Sequence, residues 1–290
     1  MSFASCAKVN LFLYITGRRI DGYHYIRSLF VPISIFDILT VEIGKNKGIN
    51  IECREKWFDP LNNTLYKAYR FFTQKTGFYP ELKIRLVKNI PPGSGLGGAS
   101  SNAATLLNIM NKLMKIKNGN YLEHKNIIKL AASIGGDVPF FIKSRPALVE
   151  GIGEVIKEVK IREELYLVII CPSKPFYTKK MYEEFDKSNR LTNPSKGDKP
   201  LPPFWGYNHI AGAVYNVFET TLKGYDLRMI MRIKRTLIEV GATSAALSGS
   251  GSAVFGLFNN SEKALSAYSK LINYFGKYKI FIAKVLNKGY

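Results

Sequence analysis

The chain has 290 residues, 46% of them apolar, 13% aromatic and 22% charged, a composition that fills a real core in one large or two ordinary domains and excludes an intrinsically disordered polypeptide. No apolar run reaches the roughly 20 residues of a membrane span, so no membrane partner is expected. The net charge of +20 has two readings: a polyanionic partner, either nucleic acid or a phosphorylated small molecule, or lysine spread over every solvated face.

The N-terminal segment has an apolar run with no charged region before it and no small-residue cleavage site after it, so it is a strand and not a signal peptide. That strand covers 3–16, with Val9, Leu11, Leu13 and Ile15 on one face and Cys6, Lys8 and Asn10 on the other. Further strands follow at 30–43 and 48–54. "NNTLYKAYRFFTQKTG" places Leu65, Ala68, Tyr69 and Phe72 at helical spacing. "ELKIRLVKNI" alternates strictly. Residues 100–116 carry one helical stripe from Ala103 to Met114, and a second helix over 122–134 ends at Gly135-Gly136. "DVPFFIK" is expected as a strand. "ELYLVIIC" is a buried strand, and 186–206 is a polar, Pro-rich loop. Helices are expected at 208–222 and 226–240, then a strand "SAVFGLF", a helix "EKALSAYSKLINYF" and a last strand "YKIFIAKVL". The order is α+β, with a boundary near residue 155. The basic segments are diffuse; "MRIKRTLIEV" mixes its charges into an amphipathic helix, which favours the second reading of the charge.

Three cysteines, Cys6, Cys53 and Cys171, are odd in number and widely spaced. They suit a reducing cytoplasmic protein better than a disulfide framework or a zinc site. The three histidines show no metal-ligand spacing.

The most informative stretch is "NIPPGSGLGGASSNAATLLNIM". A strand, a glycine-rich loop and a helix start make an anion site, because glycines let backbone N–H groups point inward and the helix end adds free donors. Ser100 and Ser101 stand where an N-cap or a phosphate-binding hydroxyl would stand. Three readings compete: a tight turn with a capped helix, a dinucleotide fold and a nucleoside triphosphate loop. The dinucleotide reading lacks an acid about twenty residues on. The triphosphate loop is not a Walker A loop, since no G-K-[ST] follows.

"PPGSGLGGASSNAA" resembles the P-x-x-x-G-L-G-[GS]-[GS]-[SA]-S-x-A-A loop of the GHMP kinases, the galactokinase, homoserine kinase, mevalonate kinase and phosphomevalonate kinase superfamily. It departs only in Ala99. "AKVNLFLYITGRRIDGYH", "GGDVPFF", "EGIGE" and "LSGSGSAVFGLF" resemble, in order, segments of the branch that phosphorylates a cytidine diphosphate-linked polyol in non-mevalonate isoprenoid synthesis. The likeness implies a two-domain fold. Residues 1–155 form an ATP-binding domain like the second domain of ribosomal protein S5, and 156–290 form a ferredoxin-like domain. It also implies ATP and Mg2+.

By this resemblance Pro92, Gly93, Ser94, Gly95, Leu96, Gly97, Gly98, Ala99, Ser100 and Ser101 cradle the phosphates. Asn63 and Lys88 stand near the adenine. Asp137 is the base, paired with Lys8. Asn10, Tyr23, His24, Thr178, Tyr182, Gly249, Ser250 and Gly251 meet the second substrate, with Tyr23 and Tyr182 as walls of a cytosine slot. Several have a plainer reading. Lys8 is an edge lysine that snorkels, Asp137 a turn or helix cap, His24 a satisfied core histidine, Asn63 a helix N-cap, Lys88 a solvated strand lysine. Cys6, beside Lys8, is expected as packing. No carboxylate pair marks a Mg2+ ligand. The chain is expected as a monomer or homodimer. The rivals are another kinase of the superfamily, acting on homoserine, mevalonate or a sugar, and a basic nucleic-acid-binding protein. The last predicts a clustered basic stripe with aromatics, which the sequence lacks.

Overall fold

The computed structural model describes residues 1–188 and 205–287. Most of the loop expected at 186–206 therefore lies outside the described residues.

Two long strands, β1 (Ser2–Arg18) and β2 (His24–Ile43), pair antiparallel and form the spine of the molecule. β3 (Gly48–Cys53) and β4 (Glu81–Val87) extend this first sheet beyond β2. β5 (Ala147–Gly151) pairs with the other half of β2, and β6 (Val155–Glu158) pairs with β5. A two-residue strand, β8 (Tyr215–Asn216), joins the far edge parallel to β1. The second sheet has order β11-β7-β10-β9, from β7 (Tyr166–Cys171), β9 (Ser244–Leu247), β10 (Val254–Phe258) and β11 (Lys279–Lys284). This is the two-part α+β architecture. The chain leaves the first sheet at the end of β6, just past residue 155.

The sheets stack face to face. Val9, Leu11, Leu29 and Val31 meet Leu167, Ile169, Phe255 and Leu257 in one buried cluster. Strand periodicity explains the division: the odd residues of β7 face the first sheet, while Val168 and Ile170 join the cluster under the helices. On the outer face of the first sheet lie α1 (Thr64–Thr76), α2 (Gly98–Asn118) and α3 (His124–Ile134). On that of the second lie α7 (Gly224–Glu239) and α8 (Ser261–Phe275). The cleft between the parts is closed by α4 (Val138–Phe141) and α5 (Thr178–Lys187), with α6 (Tyr207–Ala213) beside β1.

Four expectations need correction. Leu13 and Ile15 do not share a face with Val9 and Leu11; a register shift between Asn10 and Phe12 turns them to the helix side. "DVPFF" is the short helix α4, because Pro139 fits a first helical turn and adds no ladder donor. The helix expected over 208–222 breaks into α6, β8 and a 3-10 turn over Val217–Thr221, where Asn216 caps the turn by accepting from the Phe218 N–H. Finally, α2 begins at Gly98 with Gly97 as its N-cap, so Ser100 and Ser101 lie inside its first turns.

Candidate active site

The glycine-rich loop connects β4 to α2. It is left-handed at Gly93, Gly95 and Gly97, with φ of +62°, +79° and +73°. At Gly95 even a methyl is excluded: a Cβ there would stand 2.0 Å from the Ser248 carbonyl oxygen. That close approach bolts the loop on both sides. The Lys8 N–H donates to the Leu96 carbonyl (2.9 Å), the Ala253 N–H to Ser94 (3.0 Å) and the Ser248 Oγ to Gly95 (3.1 Å). The Thr64 hydroxyl ties α1 to the Ala99 carbonyl at 2.8 Å. Gly97 offers no side-chain cap, so the first N–H groups of α2 stay open toward the cavity.

This cavity has a volume of 290 Å³ and is lined by Lys8, Asn10, the whole loop from Pro92 to Ser100, Asp137, Thr178, Tyr182, Gly249 and Ser250. The Lys8 Nζ lies 3.5 Å from Asp137 Oδ2, donates to Asn10 Oδ1 and stands 4.7 Å over the Phe30 ring. Asn10 in turn donates to Ser28 Oγ at 2.9 Å. Burial pulls the Lys8 ammonium below its ordinary 10.5, and the Asp137 charge opposes this only in part. Asp137 sits at the start of α4, held there by two glycine segments that touch. A Cβ at Gly153 would fall 2.4 Å from the Gly136 carbonyl oxygen, so "GGDVPFF" and "EGIGE" pack where side chains do not fit.

An adjoining recess of 390 Å³ is lined by Trp57, Asn63, Lys88, Ala99 and Asn102. Asn63 is the N-cap of α1, accepting from the Tyr66 N–H at 2.9 Å. Lys88 is committed to Asp37, a fully buried carboxylate. Asp37 also accepts from the Asn89 and Ile90 N–H groups (2.8 and 2.9 Å) and from Asn102 Nδ2 (3.1 Å). Sequence reasoning missed Asp37. Its signal was a lone acid between Phe36 and Ile38 in a strand otherwise apolar around it. Ser101 is buried and accepts from Ser5 Oγ at 2.7 Å, away from the cavity.

On the opposite wall, Thr178 and Ser250 share a hydroxyl contact of 2.9 Å. Gly249 and Gly251 are left-handed; Gly249 lines the cavity, whereas Gly251 packs behind it against Leu247 and Phe176. The two expected walls of the cytosine slot are not face to face. Tyr23 is 62% exposed, and the ring stacked on Tyr182, at 4.7 Å and 19°, is that of His24. The cause is Asp186, another residue the sequence reading missed. It stands one turn beyond Tyr182 on α5 and bonds His24 Nε2 at 2.7 Å. Burial, reinforced by Asp137, pushes the Tyr182 phenol up.

Among the described residues no three His, Cys, Asp or Glu side chains converge as metal ligands. Asp137 is the one carboxylate among the described residues lining the cavity, with the hydroxyl residues Ser94, Ser100, Thr178 and Ser250 around it. That set suits a Mg2+ carried on nucleotide phosphates, which keeps waters and needs few protein ligands. No helix among the described residues is long and apolar enough to cross a membrane. Cys6 and Cys171 are buried and free, and Cys53 is half-buried and free.

The family model for the GHMP kinases N terminal domain matches residues 63–145, and that for the GHMP kinases C terminal matches 228–277. The chain is similar to 4-diphosphocytidyl-2-C-methyl-D-erythritol kinase of Nitratidesulfovibrio vulgaris, at 35% identity over 93% of this chain and 94% of that one. It is also similar to the protein of that name from Lawsonia intracellularis, at 37% identity over 89% and 90%. Among solved structures, a 4-(cytidine 5'-diphospho)-2C-methyl-D-erythritol kinase matches at TM-score 0.72 and 28% identity, covering 98% of this chain and 99% of that one.

Proposed function

The chain belongs to the GHMP kinases, and from that premise we propose that it transfers the γ-phosphate of ATP to the 2-hydroxyl of 4-diphosphocytidyl-2-C-methyl-D-erythritol. The products are ADP and the 2-phosphate, in non-mevalonate isoprenoid precursor synthesis. The observation that carries the reading is the Lys8–Asp137 pair facing the glycine-rich loop across one small cavity.

In this reading residues 1–155 form the ATP-binding part and 156–290 complete the cleft. The open N–H groups of the loop and of the α2 N-terminus hold the phosphates. Asn63 and Lys88 border the adenine, with Asp37 fixing Lys88. Asp137 accepts the proton of the acceptor hydroxyl, whose oxygen attacks the γ-phosphorus in line as the bond to the β-phosphate oxygen breaks. The Lys8 ammonium beside it stabilises the carboxylate and the developing charge. Burial weakens Lys8 as a cation in the free protein, and incoming phosphates restore it. Gly249 and Ser250 form the second backbone wall. Mg2+, when bound with the nucleotide, supplies charge neutralisation of the phosphates.

His24, Tyr182, Thr178 and Asn10 receive the cytidine substrate. That Asn10, Thr178 and Tyr182 line the same cavity as the Lys8–Asp137 pair supports this placement.

The test is ADP release from Mg-ATP with this acceptor, with mevalonate, homoserine and a hexose in parallel. Turnover with the cytidine substrate alone is expected. Turnover only with another alcohol would keep the kinase and remove the cytosine slot.

A further inference from the structure

We infer that Asn216 is a positioning residue for phosphoryl transfer: it turns the Ser250 N–H into the cleft as a donor to the transferred phosphoryl group. This rests on the reading of the cleft given above.

Asn216 is fully buried on β8, beside Leu13 of β1. Its side chain makes three bonds. Nδ2 donates to the carbonyls of Leu247 and Gly249, both at 2.8 Å, and Oδ1 accepts from the Phe218 N–H at 2.9 Å. One amide therefore gathers two carbonyls of the turn between β9 and β10. In a planar trans peptide the N–H points opposite to the preceding C=O. With the Gly249 carbonyl drawn to Asn216, the Ser250 N–H faces the other way, and Ser250 lines the cleft.

Among the described residues neither the Gly249 nor the Ser250 N–H has a protein acceptor, whereas Ser248, Gly251 and Ala253 all donate within the turn and loop. A Cβ at Gly249 would lie 3.2 Å from Lys8 Nζ, so the turn abuts the cation of the proposed catalytic pair. The neighbouring Leu247 N–H is fixed separately by Glu219 Oε1 at 2.8 Å. Glu219 thus anchors the strand end, while Asn216 sets the orientation of the peptide that follows.

A donor fixed in advance toward developing charge accelerates chemistry more than ground-state binding, so its loss is read in kcat. Asn216→Asp keeps the shape and removes both donated bonds; Asn216→Ser keeps a single hydroxyl donor. Each is assayed by ADP release with active sites counted by tight nucleotide binding, and MgADP–aluminium fluoride affinity is compared with that for a non-hydrolysable ATP analogue. A fall in kcat of about 100-fold is expected for Asn216→Asp, and a smaller fall for Asn216→Ser, by analogy with loss of an oxyanion donor. KM for both substrates stays within about threefold, and the fluoride complex weakens with kcat while the analogue does not. Unchanged kcat per active site in either folded variant overturns the inference, as does equal weakening of both nucleotide complexes. If the wild-type protein turns over no acceptor, the reading of the cleft fails; if it does and the variants match it, only the role of Asn216 fails.

Discussion

Replacing Gly95 by alanine tests the closure of the loop against the 248–253 turn. Gly95 is left-handed, and its added Cβ would meet the Ser248 carbonyl oxygen at 2.0 Å and the Gly251 nitrogen at 3.0 Å. Both are backbone atoms and cannot swing aside. The conformational term alone is about 1–2 kcal/mol. Relief of the overlap separates loop from turn and breaks the bonds from Ser248 Oγ and the Ala253 N–H, about 1 kcal/mol each. The sum is about 3–4 kcal/mol, or a fall in Tm of roughly 5–7 °C for a chain of 290 residues. Gly77→Ala is the control: Gly77 is also left-handed, at φ +69°, but nothing lies within 4 Å of its Cβ position. It should lose only the conformational term. Calorimetry of both variants, with ADP-release kinetics, gives the comparison. Equal losses at the two sites would refute the argument from close approach.

Three further outcomes follow from the same geometry. Asp37→Asn leaves the buried Lys88 ammonium facing a neutral amide, so urea unfolding should show a loss of about 3–5 kcal/mol and KM for ATP should rise. Because burial lowers the Lys8 ammonium from 10.5, the alkaline limb of kcat/KM, which reports the free protein, should fall at a pH below 10.5, and Lys8→Met should abolish that limb with most of the activity. Burial pushes the Cys171 thiol up to about 12 and raises Cys6, so a thiol reagent at pH 8 should label Cys53 first in the native protein and all three on unfolding.

The parts legible in the sequence are those with local causes. The alternation of "ELKIRLV", the cap and stripe of α1 and the clustered glycines of the phosphate loop each carry their own signal, and the structure has β4, α1 and the loop there. Misread parts depend on partners distant in the chain. Nothing around Asn10 announces the register shift in β1, which is set by pairing with β2. β5 and β6 were not foreseen, because they are short and defined by pairing with β2 and with each other. Asn216 looked like one polar residue in a helical stretch; its role needs carbonyls that arrive thirty residues later. His24 was visible in "GYH", but its placement on Tyr182 follows from Asp186, brought 162 residues along the chain to meet it.

The most direct test of the central claim is single-turnover transfer of labelled γ-phosphate to the cytidine substrate by wild-type protein and by Asp137→Ala, with nucleotide affinity measured on both. The account predicts a labelled 2-phosphate from the wild type. It predicts a rate at least about 100-fold lower in the variant, the scale of a general base, with nucleotide binding retained. Undiminished transfer by a folded Asp137→Ala protein would contradict the assignment of the base and, with it, the chemistry placed at the Lys8–Asp137 pair.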